Sequence, residues 1–490
     1  MKRATCIRVA ALVVLLPVLG CLLPPTHPQW NVVLVTFDTT RADHLGSYGG
    51  NPATSPVFDA VASRGTLFLQ AQSQAAVTPV AHASLFTGLN PYHHGLRTLH
   101  GNRHYFLPDT VPTLATRLRE EGYETAAFVS AFPCTERFGL EQGFTTFDAD
   151  FGSAPEARVG TSGNVSTGLA QRGAARTTEA ALAWLAQRPR DKPFFLWVHY
   201  FDPHDPLLRP PLARQETFMD GFPQYEAMDR ALTQDMQGFV KTYAGQADIM
   251  RPWLLRMYDA EISWADAQMG RLLAEIDGQN LMERTLVAVT ADHGEGLGDH
   301  GWWGHGVIYQ EQVHVPLAMA GPGIPEKLQV QDRVRHVDLA PTLLHMAAGA
   351  TFAGKLDGLS LWPLLERRAA GMEPRGGDRP GPAYADAVAI MRYGAIFDTG
   401  SVEARQDQVY SWLDGDLKWI RHRLFPEQSE LYDLAADPGE TENLVPSRPR
   451  DAGRLDRDLE AEQPMTEELD FSPPDDDEVR RRLRSLGYID

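Results

Sequence analysis

The chain has 490 residues, a formal net charge of −19, 43% hydrophobic and 22% charged residues. That length suits one large domain plus a smaller one. The acidic balance leaves no basic stripe to meet a phosphate backbone, which excludes nucleic acid as a partner, but an anionic ester is still allowed because a bound cation reverses the local field.

The first residues read as a targeting segment. MKRATCIR is a basic start, and VAALVVLLPVLG is an apolar run too short for a stable membrane span. It ends VLGC, which is similar to the bacterial lipobox, so residues 1–20 are expected to be removed and Cys21 lipidated. The mature protein would then be extracytoplasmic and tethered to a membrane. Of the three cysteines, Cys134 is then left alone. It can form no intramolecular disulfide, the count leaves no thiolate metal site, and Cys134 reads as a small core residue.

After the spacer LPPTHPQ, NVVLVTF (31–37) reads as a strand running into Asp38. Residues 54–70 read as a helix leading to the short strand TLFLQ. Residues 83–90 read as helical, and 110–122 as an amphipathic helix capped by Gly122. AAFV (126–129) runs into Ser130. The Gly/Ser/Ala-rich stretch 152–175 reads as an exposed loop. A helix over 179–187 precedes FFLWVHYF (194–201), which runs into Asp202 and His204. A long helix over 251–277 precedes TLVAVTA (285–291), which runs into Asp292 and His293. This alternation predicts an α/β fold, a mixed and mostly parallel sheet sandwiched by helices. In such a sheet the carboxyl ends of the strands form one rim, where ligands bind. A composition shift at 366–382 marks a boundary, placing the catalytic domain at 21–375. A small antiparallel subdomain over 376–445 follows, with VYSWLD and KWIRHR as strands. Residues 446–490 read as a charged tail, mostly extended, with a helix-like last piece.

TPVAHASLFTGLNPYHHG (78–95) resembles the signature of the sulfatase family, in the alkaline-phosphatase superfamily. Further matches follow in order: NVVLVTFDTTRADHLGSYG, YDAEISWAD, TADHGEGLGDHGWWGHG, VDLAPTLL and ELYDLAADPGETENL. Together they span residues 30–445. The departures are equally specific. Thr78 occupies the position of the Cys that becomes formylglycine, and Thr lacks the oxidisable terminal carbon. His82 replaces the signature Arg, and Thr39 the second Asp of the metal pair. Ser130 and Phe132 replace a Lys and a His, and His305 a Lys. Other superfamily branches, nucleotide phosphodiesterases and phosphoethanolamine transferases, use an unmodified Thr with zinc.

The resemblance implies Thr78 as nucleophile, activated by a divalent cation and preceding a helix whose free N–H groups favour an anion. It implies Asp38, Asp292, His293 and the Thr78 hydroxyl as metal ligands. That set suits zinc, with calcium or manganese as alternatives. His82, His204 and His305 are placed to bind ester oxygens or protonate the leaving group, and Asp202, His204 and His305 to hold a second metal. Histidines in place of fixed cations imply activity that varies between pH ~6 and 8. Trp302 and Trp303 suit either a substrate wall or core packing. Arg41 and Asp43 either orient Asp38 or cap the next turn. ELYDLAADPGETENL reads as a structural docking segment.

The reading is a hydrolase of phosphate-type or sulfate-type esters, phosphoester favoured, on a small-molecule, glycan or lipid substrate. The alternatives are an arylsulfatase-like enzyme, a phosphoethanolamine-type transferase, and a non-catalytic binding protein that kept the fold.

Overall fold

The computed structural model describes residues 29–99, 105–152, 158–159, 165–166, 171–204, 210–234, 242–243, 246–387, 407–463 and 475–485. The expected leader and Cys21 lie outside them. Among the described residues no helix is long and apolar enough to cross a membrane.

In chain order the main elements begin with β1 (Asn31–Phe37), α1 (Pro56–Arg64), β2 (Thr66–Gln72), α2 (Thr78–Thr87), α3 (Leu114–Glu120), β3 (Glu124–Phe128) and β4 (Thr146–Asp148). They continue with α4 (Ala174–Gln187), β5 (Phe194–Tyr200), α5 (Leu212–Met219), α6 (Ala247–Gly278), β6 (Thr285–Ala291), β7 (His314–Ala320), β8 (Leu328–Val330), β9 (Val334–Arg335) and α7 (Leu339–Ala348). The large sheet runs β8-β2-β7-β6-β1-β5-β3-β4, with β9 also paired to β2. β6, β1, β5, β3 and β4 are mutually parallel, whereas β7 is antiparallel to both of its neighbours. This is the mixed, mostly parallel sheet that the sequence pattern predicts.

The central strands β1, β5 and β6 are buried at every position and mostly apolar because both faces are covered. Val32, Leu34, Phe195, Trp197, Leu286 and Ala288 join a core containing residues of α2, α3 and α7. Val33, Val35, Leu196, Val198, Val287 and Val289 point the other way, into a core shared with α1, α4 and α6. The period-2 alternation of strand side chains assigns each residue its face. α2 is buried along its whole length and ends at Gly88, whose φ of +71 closes the helix in the left-handed region.

The second sheet is β10 (Ala383–Ala387), β11 (Val409–Asp414), β12 (Leu417–His422) and β13 (Glu430–Asp433), antiparallel throughout. Two sequence expectations need correcting here. The charged tail, expected to be mostly extended, contains α8 (Pro449–Glu462), whose Ala452, Leu455 and Leu459 pack on Tyr384, Trp412 and Trp419, while α9 (Asp477–Ser485), whose Val479 enters the main core, falls on the expected helix-like last piece. A narrow apolar stripe suffices for such docking even in a charged helix. The stretch expected as an exposed loop at 152–175 ends in buried residues. Arg172 pairs with Asp148 at 2.6 Å, and Ala174 already begins α4.

A buried charge pair joins the second sheet to the segment that follows α2 in the main domain. Arg97 Nη2 lies 2.7 Å from Asp386 Oδ2, both side chains 1% exposed, and the Tyr384 hydroxyl donates to the same oxygen. Removing one partner of such a pair leaves the other desolvated. Arg97→Met is therefore expected to destabilise the fold by about 3–5 kcal/mol in urea titration. A change under about 1 kcal/mol would show that the junction does not rely on this pair.

Candidate active site

Four parallel neighbours, β6, β1, β5 and β3, deliver Asp292 and His293, Asp38, Asp202 and His204, and Ser130 to one rim. Asp38, Asp292 and His293 are wholly buried, and each offers a ligand atom within 4.8 Å of the other two. Asp292 Oδ1 accepts the backbone N–H groups of His293 (2.7 Å) and Thr39 (3.1 Å), which fixes the carboxylate. Asp38 Oδ2 accepts from His199 Nε2 at 3.0 Å. The remaining oxygens, Asp38 Oδ1 and Asp292 Oδ2, are buried with no hydrogen-bond partner.

That vacancy of partners has an electrostatic cost. Desolvation, then the charges of Asp292 and Glu295, hold the Asp38 carboxyl well above its ordinary range. Burial lifts Asp292 to about 6, partly offset by His82 and by backbone donors. A buried carboxylate is tolerated when it is paired or binds a cation. Two orphaned carboxylate oxygens and one imidazole therefore fit a divalent metal. His293 donates from Nδ1 to the Gly294 carbonyl at 3.0 Å, which leaves the Nε2 lone pair for a ligand.

Thr78 is the first residue of α2, and its hydroxyl lies 3.4 Å from His293 Nε2. The nucleophile candidate thus touches the ligand set, as the resemblance implies. Thr39, in place of a second metal-pair Asp, is held at φ +47 with its hydroxyl buried and unpartnered. A β-branched residue in the left-handed region is strained, and such strain clusters at functional sites. The Tyr258 hydroxyl holds the turn by donating to the Thr39 carbonyl and accepting from the Arg41 N–H. Arg41 does not touch Asp38. Its guanidinium binds Asp43, Asp299 and the carbonyls of Glu295 and Gly296, tying the β1 turn to the β6 loop.

The other expected site residues divide. His204 Nε2 and His305 Nε2 are 3.1 Å apart, and the His305 ring is 4.3 Å from that of His293, so these three form one wall. His82 has both nitrogens engaged. Nδ1 donates to the Thr78 carbonyl at 2.8 Å, and Nε2 meets the Thr36 hydroxyl at 3.1 Å. It braces the nucleophile's turn. Asp202 accepts the Ala174 N–H at 2.8 Å at the start of α4, so it serves that helix and stands outside the Asp38 cluster. Trp303 packs against the Met219–Met257 cluster and Trp302 against the Val307–Tyr432 cluster, so both side chains do core work.

Sequence reasoning missed His199, which lies within β5 one residue from the strand's end. An inward His in an apolar strand looks like packing, and only its register opposite Thr36 places it beside Asp38. It also missed how burial acts on the histidines. Desolvation lowers His293 to about 4 and pushes His204 and His305 well below 6.5, helped by their mutual proximity. These shifts favour the neutral rings, which runs against the expectation that they make activity vary between pH ~6 and 8.

Residues 30–350 match the family model described as Sulfatase. The site and sheet are those of an ester hydrolase. The chain belongs to the sulfatase family. Choline-sulfatase of Rhizobium meliloti (strain 1021) is 27% identical over 482 residues, covering 88% of this chain and 86% of that protein. Among solved structures, a protein in complex with its substrate D-glucosamine-2-N,6-O-disulfate superposes with a TM-score of 0.72 at 21% identity, over 89% of this chain and 98% of that one. The phosphonate monoester hydrolase of Agrobacterium radiobacter superposes with a TM-score of 0.64 at 22% identity, over 89% and 96%. These likenesses establish the fold.

The loop from β6 to β7 is clamped by the C-terminal subdomain. Glu440 accepts the Gln310 N–H and pairs with Lys418 at 2.7 Å. The Glu440 carbonyl accepts from His300, which stacks on Tyr309 and bonds Glu311 at 2.9 Å. Burial lowers the His300 pKa, but the hydrogen bond to Glu311 and its charge outweigh this and raise it to about 9. Raised above the ordinary 6.5, it stabilises the fold fully below pH ~6.5 and loses that contribution as pH rises through about 9. Melting temperature is thus expected to fall between pH 7 and 10 more steeply in the wild type than in His300→Gln. Parallel slopes would refute the assignment.

Proposed function

We propose that this protein is a metal-dependent phosphoester hydrolase of the sulfatase family that works through a covalent Thr78 intermediate. The observation that carries the reading is the pair of orphaned carboxylate oxygens on Asp38 and Asp292, set beside His293 and the Thr78 hydroxyl. A bound divalent ion would acidify the Thr78 hydroxyl and polarise the ester, as zinc does when it lowers the pKa of water from 15.7 to ~7. Two carboxylates, an imidazole and a hydroxyl favour zinc over calcium, which takes six or more oxygens.

The chain's own groups then have distinct tasks. Thr78 attacks, and α2 presents its N-terminal end to the anionic centre. His293 Nε2 stands at the nucleophile. His204 and His305 are neutral hydrogen-bonding groups for the ester oxygens and the departing alcohol. Water resolves the phospho-Thr78. A sulfo-Thr has no comparably easy exit, and the chain offers His82, Ser130 and His305 where a sulfate site has Arg and Lys. Phosphate-type esters are therefore favoured. The alternative, sulfate-ester hydrolysis of the arylsulfatase-like kind, draws support from relatives that cleave sulfate esters, such as choline-sulfatase. We further propose lipidation at Cys21 and an extracytoplasmic location, resting on VLGC.

A turnover panel of aryl phosphodiester, phosphate monoester, phosphonate ester and aryl sulfate on zinc-loaded protein tests the preference. The phosphodiester or phosphonate ester is expected to lead. An aryl sulfate well ahead would overturn it. Thr78→Ala should lower turnover by more than about 10²-fold with an unchanged melting curve. Activity within about tenfold of wild type would remove Thr78 from the chemistry. Chelation should both abolish turnover and lower the melting temperature, since the cation then no longer binds the native state. An unaltered melt would argue for a non-catalytic relative without a metal.

A further inference from the structure

Outside the ligands assigned above lies a second set of metal-competent side chains. His82, Cys134 and His199 are wholly buried, and each offers one ligand atom within 4.8 Å of the other two. A single thiol thus stands with two imidazoles, although the cysteine count alone suggests no thiolate metal site. They come from three places: α2, the turn after β3, and β5. Ser130 stitches two of these together, its hydroxyl donating to the His199 carbonyl at 2.6 Å. The set abuts the first one, with His199 Nε2 3.0 Å from Asp38 Oδ2 and His82 Nδ1 3.7 Å from Asp292 Oδ2.

We propose that His82, Cys134 and His199 hold a second, thiophilic divalent ion, making the centre binuclear. The proposal rests on reading Asp38, Asp292 and His293 as ligands of the first ion. Three features support it. Both histidines have the outer hydrogen bond that ligating imidazoles use, to a carbonyl or a carboxylate. His82 Nδ1 donates to the Thr78 carbonyl, so its lone pair is on Nε2, where it accepts from the Thr36 hydroxyl at 3.1 Å, a contact that metal binding would replace. His199 Nε2 donates to Asp38, which leaves its lone pair on Nδ1, where the Ser130 N–H reaches only at 3.4 Å. Second, the donor set is soft. Two imidazoles and one thiol select zinc or another borderline metal and disfavour calcium and magnesium. Third, the charge balance calls for it. With both aspartates ionised, one dication leaves the first set neutral, and neither set contains an Arg or Lys to receive an anionic ester. A second dication against one thiolate adds one positive charge at that place. On binding, the Cys134 S–H bond breaks, a metal–sulfur bond forms and the proton leaves to solvent.

Cobalt(II) is the probe, added to the metal-free full chain. Elemental analysis after desalting is expected to give two cobalt ions per chain, with a thiolate-to-cobalt charge-transfer band in the near ultraviolet. Cys134→Ser should lose the band and one ion. Asp292→Asn should lose one ion and keep the band, which separates failure of this inference from failure of the first site. One ion per chain with the band would overturn the first site, whereas one ion without the band would overturn the proposal. So would two ions without the band, or a band that survives in Cys134→Ser. If Cys134→Ser fails to fold, the wild-type stoichiometry and spectrum decide the matter alone.

Discussion

Two carboxylates that share a dry pocket constrain everything else in this structure. Asp38 and Asp292 are wholly buried, and one oxygen of each has no partner. At short range in a low dielectric, two such groups cannot both ionise without a counter-charge. The chain therefore faces a choice between holding a proton in the pocket and holding a cation. The surrounding donors favour the ionised pair, which is the state a cation would hold. Backbone N–H groups of Thr39 and His293 and the His199 ring all favour the ionised carboxylates.

The fold serves that pocket by adjacency. β1 sits between β5 and β6, all three parallel, so the residues that leave their carboxyl ends must meet. The strained turn at Thr39 is affordable because Tyr258 and Arg41 over-determine it from the helix α6 side and from the β6 loop. The β6–β7 loop would be a long polar excursion by itself. Glu440, from the far end of the small subdomain, fastens it through Gln310 and His300. The small subdomain is thus a brace for the site as well as a cover for the sheet.

Much of this was legible in the sequence, for a definite reason. Asp38, Asp292 and His293 stand directly after apolar runs, and a strand followed by a carboxylate reports its own position on a rim. Thr78 stands out through the ASLFTG and NPYHHG matches. Asp202 follows an apolar run in the same way, yet its carboxylate turns to the start of α4, because a free backbone N–H there competes for it. His199 and Cys134 were illegible because they sit among hydrophobic residues, where local pattern reads only burial. Their meaning comes from strand register and from the turn after β3 that brings Cys134 near His199, both long-range facts. Helix α8 was hidden by its charge. Three apolar positions dock it, and a composition argument averages them away.

The neutral state of the histidines has a consequence for selectivity. In a site lined by Arg and Lys, positive charge is permanent and attracts any anionic ester before chemistry begins. Here His204, His293 and His305 are pushed toward neutrality by burial and by one another. Hydrogen bonding can still orient an ester through these rings, but net attraction must come from bound cations and from the end of α2. On the metal-dependent reading proposed above, a substrate would be selected by how well its oxygens coordinate metal. Phosphoryl oxygens, which carry more charge and bind hard or borderline cations more strongly than sulfuryl oxygens do, gain more from such a site. On that reading, His82 and His305 in place of Arg and Lys remove fixed charge from the site and leave recognition to coordination and hydrogen bonding.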